Sequence, residues 1–427
     1  MSLVSRAVRD YTDLTRRLAD LIVGFGANVQ PGQLVGITSY LGKEDLTREI
    51  ARAAYERGAQ YVDVLYSDPW VKRERLLHGA PETLTYIPPW MIERLRHFSG
   101  EHAARISLSG PVAPHALDGI ASDRAGLDLL PYLPETGEIV NRCTTNWCVA
   151  PAPTPGWAAS VYPDADPDEA YDRLWAAVAH VCRLDTDDPV AAWTERMETV
   201  KRGAAALTDR RFDAIHLHGP GTDLTVGLFA SSRWHAAEFT TVDGLAHYPN
   251  IPSEETFTTP DPLRAEGHVS ATLPLELYGS IIRGLRVEFE GGRVARIDAD
   301  ENAETLRSAC TRDDGATRLG ELALVDGDGR IGPLQTVFFD TLLDENAASH
   351  IALGSAYSLA VEDDADKQRI NASGIHIDFM IGSPELDVDG ITAAGKHVPV
   401  LRQGAWQICT LRVILKRPAR GPVQTGR

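Results

Sequence analysis

The sequence predicts an α/β amino-terminal domain followed by an α+β, mostly antiparallel carboxy-terminal domain that carries a metal site. Three observations lead to that class. Strand-like runs alternate with helical periodicities through the first half, the pattern of an open parallel sheet covered by helices. From Arg211 onward the pattern changes to short β runs and a tight hairpin. The stretch from Glu321 to Asp378 then gathers acids, two histidines and a tyrosine.

Taken in order, Val8, Tyr11, Leu14, Leu18, Leu21 and Ile22 recur at helical spacing, and Gly24 is expected to stop that first helix. A strand at 34–38, a helix at 46–55, a strand at 61–66, a helix at 88–98 and a strand at 104–108 continue the alternation. The segment 145–158 carries Trp147 and Trp157 among prolines, and reads as a wrapped loop too proline-rich for a regular element. Helices at 168–183 and 189–207 follow, the second connecting domain 1–205 to domain 206–427. Beyond them come short strands at 214–217 and 224–228, and a hairpin at 285–297 whose Glu290-Gly291-Gly292-Arg293 is a turn signal between alternating residues.

A chain of 427 residues is too long for one ordinary core and suits two domains. With 43% hydrophobic and 24% charged residues, its composition is that of a globular protein. The net charge of -18, from 42 basic and 60 acidic residues, argues against nucleic acid or an anionic membrane as partner. The start Met1-Ser2-Leu3-Val4-Ser5-Arg6 lacks a signal-peptide pattern and no apolar run has membrane-spanning length, so a cytoplasmic enzyme is expected. Cys143, Cys148, Cys182, Cys310 and Cys409 form no paired C-x-x-C and read as reduced thiols.

Several motifs carry little chemistry alone. His216-Leu217-His218 alternates on a strand, but no acid or third histidine accompanies it locally, so a structural or substrate-lining role is favoured. Gly219-Pro220-Gly221-Thr222 lacks the third glycine and the helix of a phosphate loop and reads as a turn. Asp326-Gly327-Asp328-Gly329-Arg330 puts arginine where a calcium loop needs oxygen, and reads as a solvated turn. The prolines of 249–260 bracket Glu254 and Glu255 in an extended loop, where adjacent side chains point opposite ways and one at most faces a given site.

In Ile375-His376-Ile377-Asp378-Phe379 a period of two puts His376 and Asp378 on the same face of a strand and the apolar residues on the other. Imidazole and carboxylate are ligands shared by Zn, Co, Mn and Fe, although a core His-Asp hydrogen bond has the same pattern. Glu321, Glu345 and His350 tip the balance, because such groups side by side need a cation to collect them.

At Asn250-Ile251-Pro252-Ser253-Glu254-Glu255-Thr256-Phe257-Thr258 the chain resembles the M29 family of metallo-aminopeptidases. The resemblance extends to Pro153-Thr154-Pro155-Gly156-Trp157, Gly221-Thr222-Asp223-Leu224, Asp344-Glu345-Asn346, Ser349-His350, Tyr357 and His376-Ile377-Asp378. It implies two divalent cations per chain, Zn or Co with Mg or Mn as further options, held by Glu255, Glu321, Glu345, His350, His376 and Asp378 with Tyr357 beside them. It also implies peptide substrates with a free amino terminus and a homodimer. Four acids to two histidines is an oxygen-rich set that suits two cations sharing carboxylates. Glu255 or Glu321 would be the general base and Tyr357 a hydrogen-bond donor to the oxyanion. Its place seven residues after His350 is two turns if the intervening residues are helical, which would put both on one face. The alternative is a mononuclear Fe(II) ring-cleaving dioxygenase of the same fold, acting on hydroxypyridines, which would leave the three glutamates unneutralised.

Overall fold

The computed structural model describes residues 10–408 apart from positions 129, 132, 134 and 237. Val8 of the expected first helix and Cys409 lie outside the described residues. That helix runs Thr12–Leu21, but Gly24 does not stop it: a π-helical turn continues through Ile22–Gly26. The extra turn buries Ile22 and Val23 fully. It ends where Gly26 meets the sheet so closely that a β-carbon there would stand 2.5 Å from Cys148 Sγ.

Four parallel strands make the first sheet, in the spatial order Tyr61–Ser67, Leu34–Tyr40, Ala104–Ser109, Asn146–Pro151. The helices Glu44–Glu56 and Pro89–Gly100 lie between them in sequence, as the β-α-β alternation requires. The expectation of a loop at 145–158 is overturned. Asn146–Pro151 is the fourth strand and Pro155–Val161 is a helix. Its prolines sit where they cost nothing: Pro151 ends an edge strand, and Pro155 opens a helix whose cap, Thr154 Oγ1, accepts from the Trp157 N–H. Trp157 is wholly buried and donates its indole N–H to the Phe338 carbonyl at 2.6 Å.

The helices Pro167–Val181 and Pro189–Arg210 lead into two antiparallel sheets. In the eight-stranded sheet the strands Arg293–Asp298, Arg286–Glu290, Pro260–Ser270, Thr222–Leu228, Ala214–Gly219, Asp387–Ile391, His397–Arg402 and Ala405–Trp406 follow in spatial order. Gly291 (φ 56°) and Gly292 (φ 77°) make the expected tight turn of its hairpin. The five-stranded sheet runs His376–Met380, His350–Gly354, Leu319–Val325, Glu255–Thr258, His235–Ala236. The region 249–260 is therefore only partly loop: Glu255–Thr258 pairs in one sheet and Pro260 starts a strand of the other.

The parallel sheet and the antiparallel half meet at backbone level. The Val149 N–H donates to the Pro249 carbonyl and the Ile251 N–H to the Val149 carbonyl, at 2.6 and 3.0 Å. Buried Lys43 donates to the Leu108 and Ser109 carbonyls, while Asp340 accepts from the Gly110 N–H at 2.7 Å. Among the described residues no helix is long and apolar enough to cross a membrane, and Cys143, Cys148, Cys182 and Cys310 are free thiols.

Trp157 fills the joint between the parallel sheet and the segment after Phe338. Trp157→Ala should cost about 3–5 kcal/mol, a core aromatic truncation with a lost hydrogen bond. A urea midpoint unchanged from the parent would contradict this.

Candidate metal centre

Strand register alone puts the predicted side chains on one face of the five-stranded sheet. Glu321 pairs with Ala352 and Ala352 with Asp378; His350 pairs with Ala323; Glu255 pairs with Val325. Directly paired residues share a face, as do residues two apart, so Glu255, Glu321, His350, His376 and Asp378 all project from the same side. Leu322, Leu324, Ile351, Leu353, Ile377 and Phe379 fill the other side and are buried in the core.

The groups converge as two trios. One ligand atom each from Glu255, Glu321 and His350 lie within 4.8 Å of one another, and so do those of Glu321, His376 and Asp378. Glu321, on the central strand, belongs to both. His350 Nε2 stands 3.1 Å from Glu255 Oε2, and His376 Nε2 stands 3.2 Å from Glu321 Oε2 and 3.4 Å from Asp378 Oδ1. Glu255 Oε2 and Asp378 Oδ1 are buried without an aligned hydrogen-bond donor despite those short approaches. Both imidazoles are oriented from behind. His350 Nδ1 is 3.1 Å from the Ala348 carbonyl and His376 Nδ1 2.7 Å from the Ser355 carbonyl. Those carbonyls accept only if Nδ1 carries a proton, which turns each Nε2 into the site, where it becomes a lone-pair donor once its own proton leaves. Orphaned carboxylate oxygens and imidazole Nε2 atoms gathered on one point fit divalent cations that would displace the Nε2 protons.

Glu345 ends the short helix Thr341–Glu345, outside both trios, and its Oε1 accepts from Asn250 Nδ2 and Asn346 Nδ2, each at 3.4 Å. The Tyr357 ring lies 5.4 Å from that of His376. The helical route from His350 to Tyr357 is overturned: His350–Gly354 is a strand, and its β-branched and buried Ile351 and neighbours hold it in the sheet. Tyr357 reaches the site because Thr259 Oγ1 donates to its carbonyl at 2.7 Å and its ring packs 5.8 Å from Phe257.

Adjacent Glu254 and Glu255 part company, as an extended backbone requires. Glu254 is 1% exposed and turns to Arg183 at 2.8 Å and to Arg196. Arg196 also grips Asp326 at 2.8 Å, and Trp406 Nε1 donates to the same carboxylate at 2.9 Å. Asp326 is thus a buried anchor, correcting its reading as part of a solvated turn. Asn346 accepts from the Glu254 N–H at 2.7 Å and donates to the Leu342 carbonyl at 2.9 Å, tying the two glutamate-bearing segments together. Arg183, Arg196, Asn250 and Asn346 were not singled out from sequence. Their bonds to Glu254 and Glu345 span 58 to 95 residues of chain, beyond any local periodicity.

Burial and mutual repulsion set the electrostatics. Burial raises Glu321 and lifts Glu345 well above the ordinary carboxylate range, where the charges of Glu255 and Asp378 lift it further. Burial also opposes ionisation of Asp378, but His376 holds it low. For His350, burial disfavours the cation, yet Glu255, Asp378 and Glu321 outweigh it and push the imidazole up to about 10. His376 rises well above the usual range, mainly through Asp378 against burial. Burial also raises the Tyr357 phenol, which stays protonated and able to donate.

Comparison with known proteins finds relatives along nearly the whole chain. Residues 12–406 match the family described as thermophilic metalloprotease (M29). Aminopeptidase T of Thermus aquaticus is 40% identical over 407 residues, covering 93% of this chain and 99% of its own. Aminopeptidase PepS of Streptococcus thermophilus is 35% identical over 410 residues, 93% and 99% of the two chains. The solved structure of wild-type AmpT from Thermus thermophilus superposes with a TM-score of 0.84 at 38% identity, covering 93% of this chain and all of that one.

In the cation-free protein His350 and His376 carry protons at neutral pH, and coordination must displace them. Affinity for a divalent cation should therefore rise with pH, by about one decade per displaced proton per pH unit until each imidazole is neutral. Calorimetric titration in buffers of different ionisation heat checks this; a binding heat independent of buffer would contradict it.

Proposed function

Because the chain belongs to the thermophilic metalloprotease family M29, we propose that it is a metal-dependent aminopeptidase that releases single residues from the free amino terminus of peptides at a dinuclear centre. The observation that carries this reading is the pair of ligand trios sharing Glu321. Glu255, His350 and Glu321 would hold one cation and Glu321, His376 and Asp378 the other, with Glu345 and Tyr357 completing the surround. Zinc or cobalt suits this mixture of carboxylates and imidazoles, with magnesium or manganese as further options. When bound, two such ions act as Lewis acids on the scissile carbonyl and make water a nucleophile at neutral pH.

The chain's own groups do the rest. Glu255 takes the proton from the attacking water and passes it towards the leaving amine. The Tyr357 hydroxyl donates a hydrogen bond to the oxygen that gains charge in the tetrahedral transition state. The surplus of acids over imidazoles attracts a peptide's α-ammonium group and sets cleavage at the first residue. A mononuclear ferrous dioxygenase finds no support in the family, and it would leave one trio of buried ligands unused. The proposal extends to a cytoplasmic homodimer, which sedimentation equilibrium tests through a mass twice that of the chain.

Tyr357→Phe should keep the fold and the metal content while turnover falls roughly 10²-fold, the scale of a lost oxyanion donor. Unchanged turnover would remove Tyr357 from the chemistry.

The function itself is tested with paired peptides and metal analysis. The protein should bind two equivalents of cation and lose activity to a chelator, with Zn or Co restoring it. Free peptides should be trimmed and their N-acetylated forms left intact. One equivalent, or efficient cleavage of acetylated peptides, would overturn the reading.

A further inference from the structure

A second gathering of metal-type ligands lies on the other antiparallel sheet. Of the 13 histidines, His216 and His218 sit on the strand Ala214–Gly219 and His397 opens His397–Arg402. Between those strands runs Asp387–Ile391, where Asp389 pairs directly with His216 and Ile391 pairs with His397. The four side chains therefore share one face. Ile215, Leu217 and Val388 are fully buried on the opposite face. The expectation that no acid accompanies His216-Leu217-His218 locally is corrected by Asp223 on the adjacent strand, and the fold delivers a second acid, Asp389, from some 170 residues downstream.

One ring nitrogen each of His216 and His397 and one carboxylate oxygen of Asp389 lie within 4.8 Å of one another. His218 Nε2 is 3.3 Å and His397 Nδ1 3.9 Å from the same Asp389 Oδ2. The His216 ring stacks on His218 at 4.9 Å and meets His397 edge-on at 5.6 Å. Two imidazoles thus approach one carboxylate oxygen, and the third lies against both rings with a ring nitrogen in the same group.

The surroundings prepare these groups to coordinate. Arg402 engages Asp389 Oδ1, which leaves Oδ2 to the histidines and keeps the carboxylate ionised. His216 Nε2 lies 2.8 Å from Asp223 Oδ1, an acceptor for the ring proton. A proton held there leaves Nδ1 as the lone-pair donor, the arrangement that commonly backs a metal-bound imidazole. With neutral imidazoles, Asp223, Asp387 and Asp389 against Arg402 leave the patch at -2. Asp389 is 8% exposed while His397 is open to water, so the centre is built from below and free above.

We propose that His216, His397 and Asp389, with His218 as a fourth donor, form a binding site for a borderline transition-metal dication such as Zn²⁺, separate from the buried centre of the five-stranded sheet. Two or three imidazoles with one carboxylate select Zn²⁺, Cu²⁺ or Ni²⁺ over Mg²⁺ and Ca²⁺, which take oxygen sets. Water completes the shell on the open side.

The test compares the full-length protein with His397→Ala and with His216→Ala/His397→Ala, each dialysed against buffered Zn²⁺ at rising concentration. The parent should take up one equivalent more than the double variant, with Zn²⁺ affinity at this site reduced roughly tenfold or more in the single variant. Millimolar Mg²⁺ should not compete for that equivalent, and peptide hydrolysis at fixed free metal should be equal in all three proteins. Because the readout is a difference between parent and variant, it stands whether the catalytic centre holds one ion or two. Melting temperatures in chelator confirm that the variants fold, and the Zn²⁺-dependent rise seen in the parent should shrink in both. Equal uptake by parent and double variant, or displacement of the differential equivalent by Mg²⁺, would overturn the proposal.

Discussion

The constraint on which the structure turns is the burial of like charge on one face of a sheet. Glu255, Glu321 and Asp378 are nearly inaccessible to water, with Glu345 beside them, and two imidazoles are the only cations among the site residues. Isolated buried carboxylates cost several kcal/mol each unless they are paired or neutralised. The apolar opposite face secures the strands in a single register, so the charged face has no freedom to disperse its groups. Cations are then part of what makes this arrangement stable, in addition to what makes it reactive.

The loops that complete the site are held by the other half of the molecule. The segment carrying Glu345 begins under Trp157 and Gly110, at the carboxyl ends of the parallel strands, where Asp340 also caps its short helix. The segment carrying Glu255 is pinned to the strand Asn146–Pro151 at Val149, and from below by the two arginines on Glu254. One glutamate of the pair is structural and the other faces the site. Position in an alternating backbone, rather than residue type, divides the roles.

What was legible in the sequence follows from periodicity. The β-α-β alternation located three of the four parallel strands to within a few residues, and the period of two in His376-Ile377-Asp378 put both polar side chains on one side. What was not legible depends on partners distant in the chain. Proline density hid the strand at Asn146 because an edge strand tolerates what a central one does not. An offset of seven from His350 to Tyr357 suggested helical turns, whereas sheet pairing on both sides of Ile351 overrides that spacing. The burial of Asp326 and the approach of Asp389 to His218 are likewise products of tertiary contact.

Glu321 sits at the middle of the five-stranded sheet and is counted in both trios. On the proposed dinuclear reading, a ligand held in common would link the two occupancies thermodynamically, so that stepwise constants and an interaction energy would describe them rather than two independent affinities. With one trio filled, the shared carboxylate would offer less negative charge to the other trio, while its position would already be fixed. The balance of those opposing effects determines whether a half-filled intermediate accumulates at limiting metal. Because the shared group hangs from the central strand, a substitution that shifts that strand would act on both trios at once.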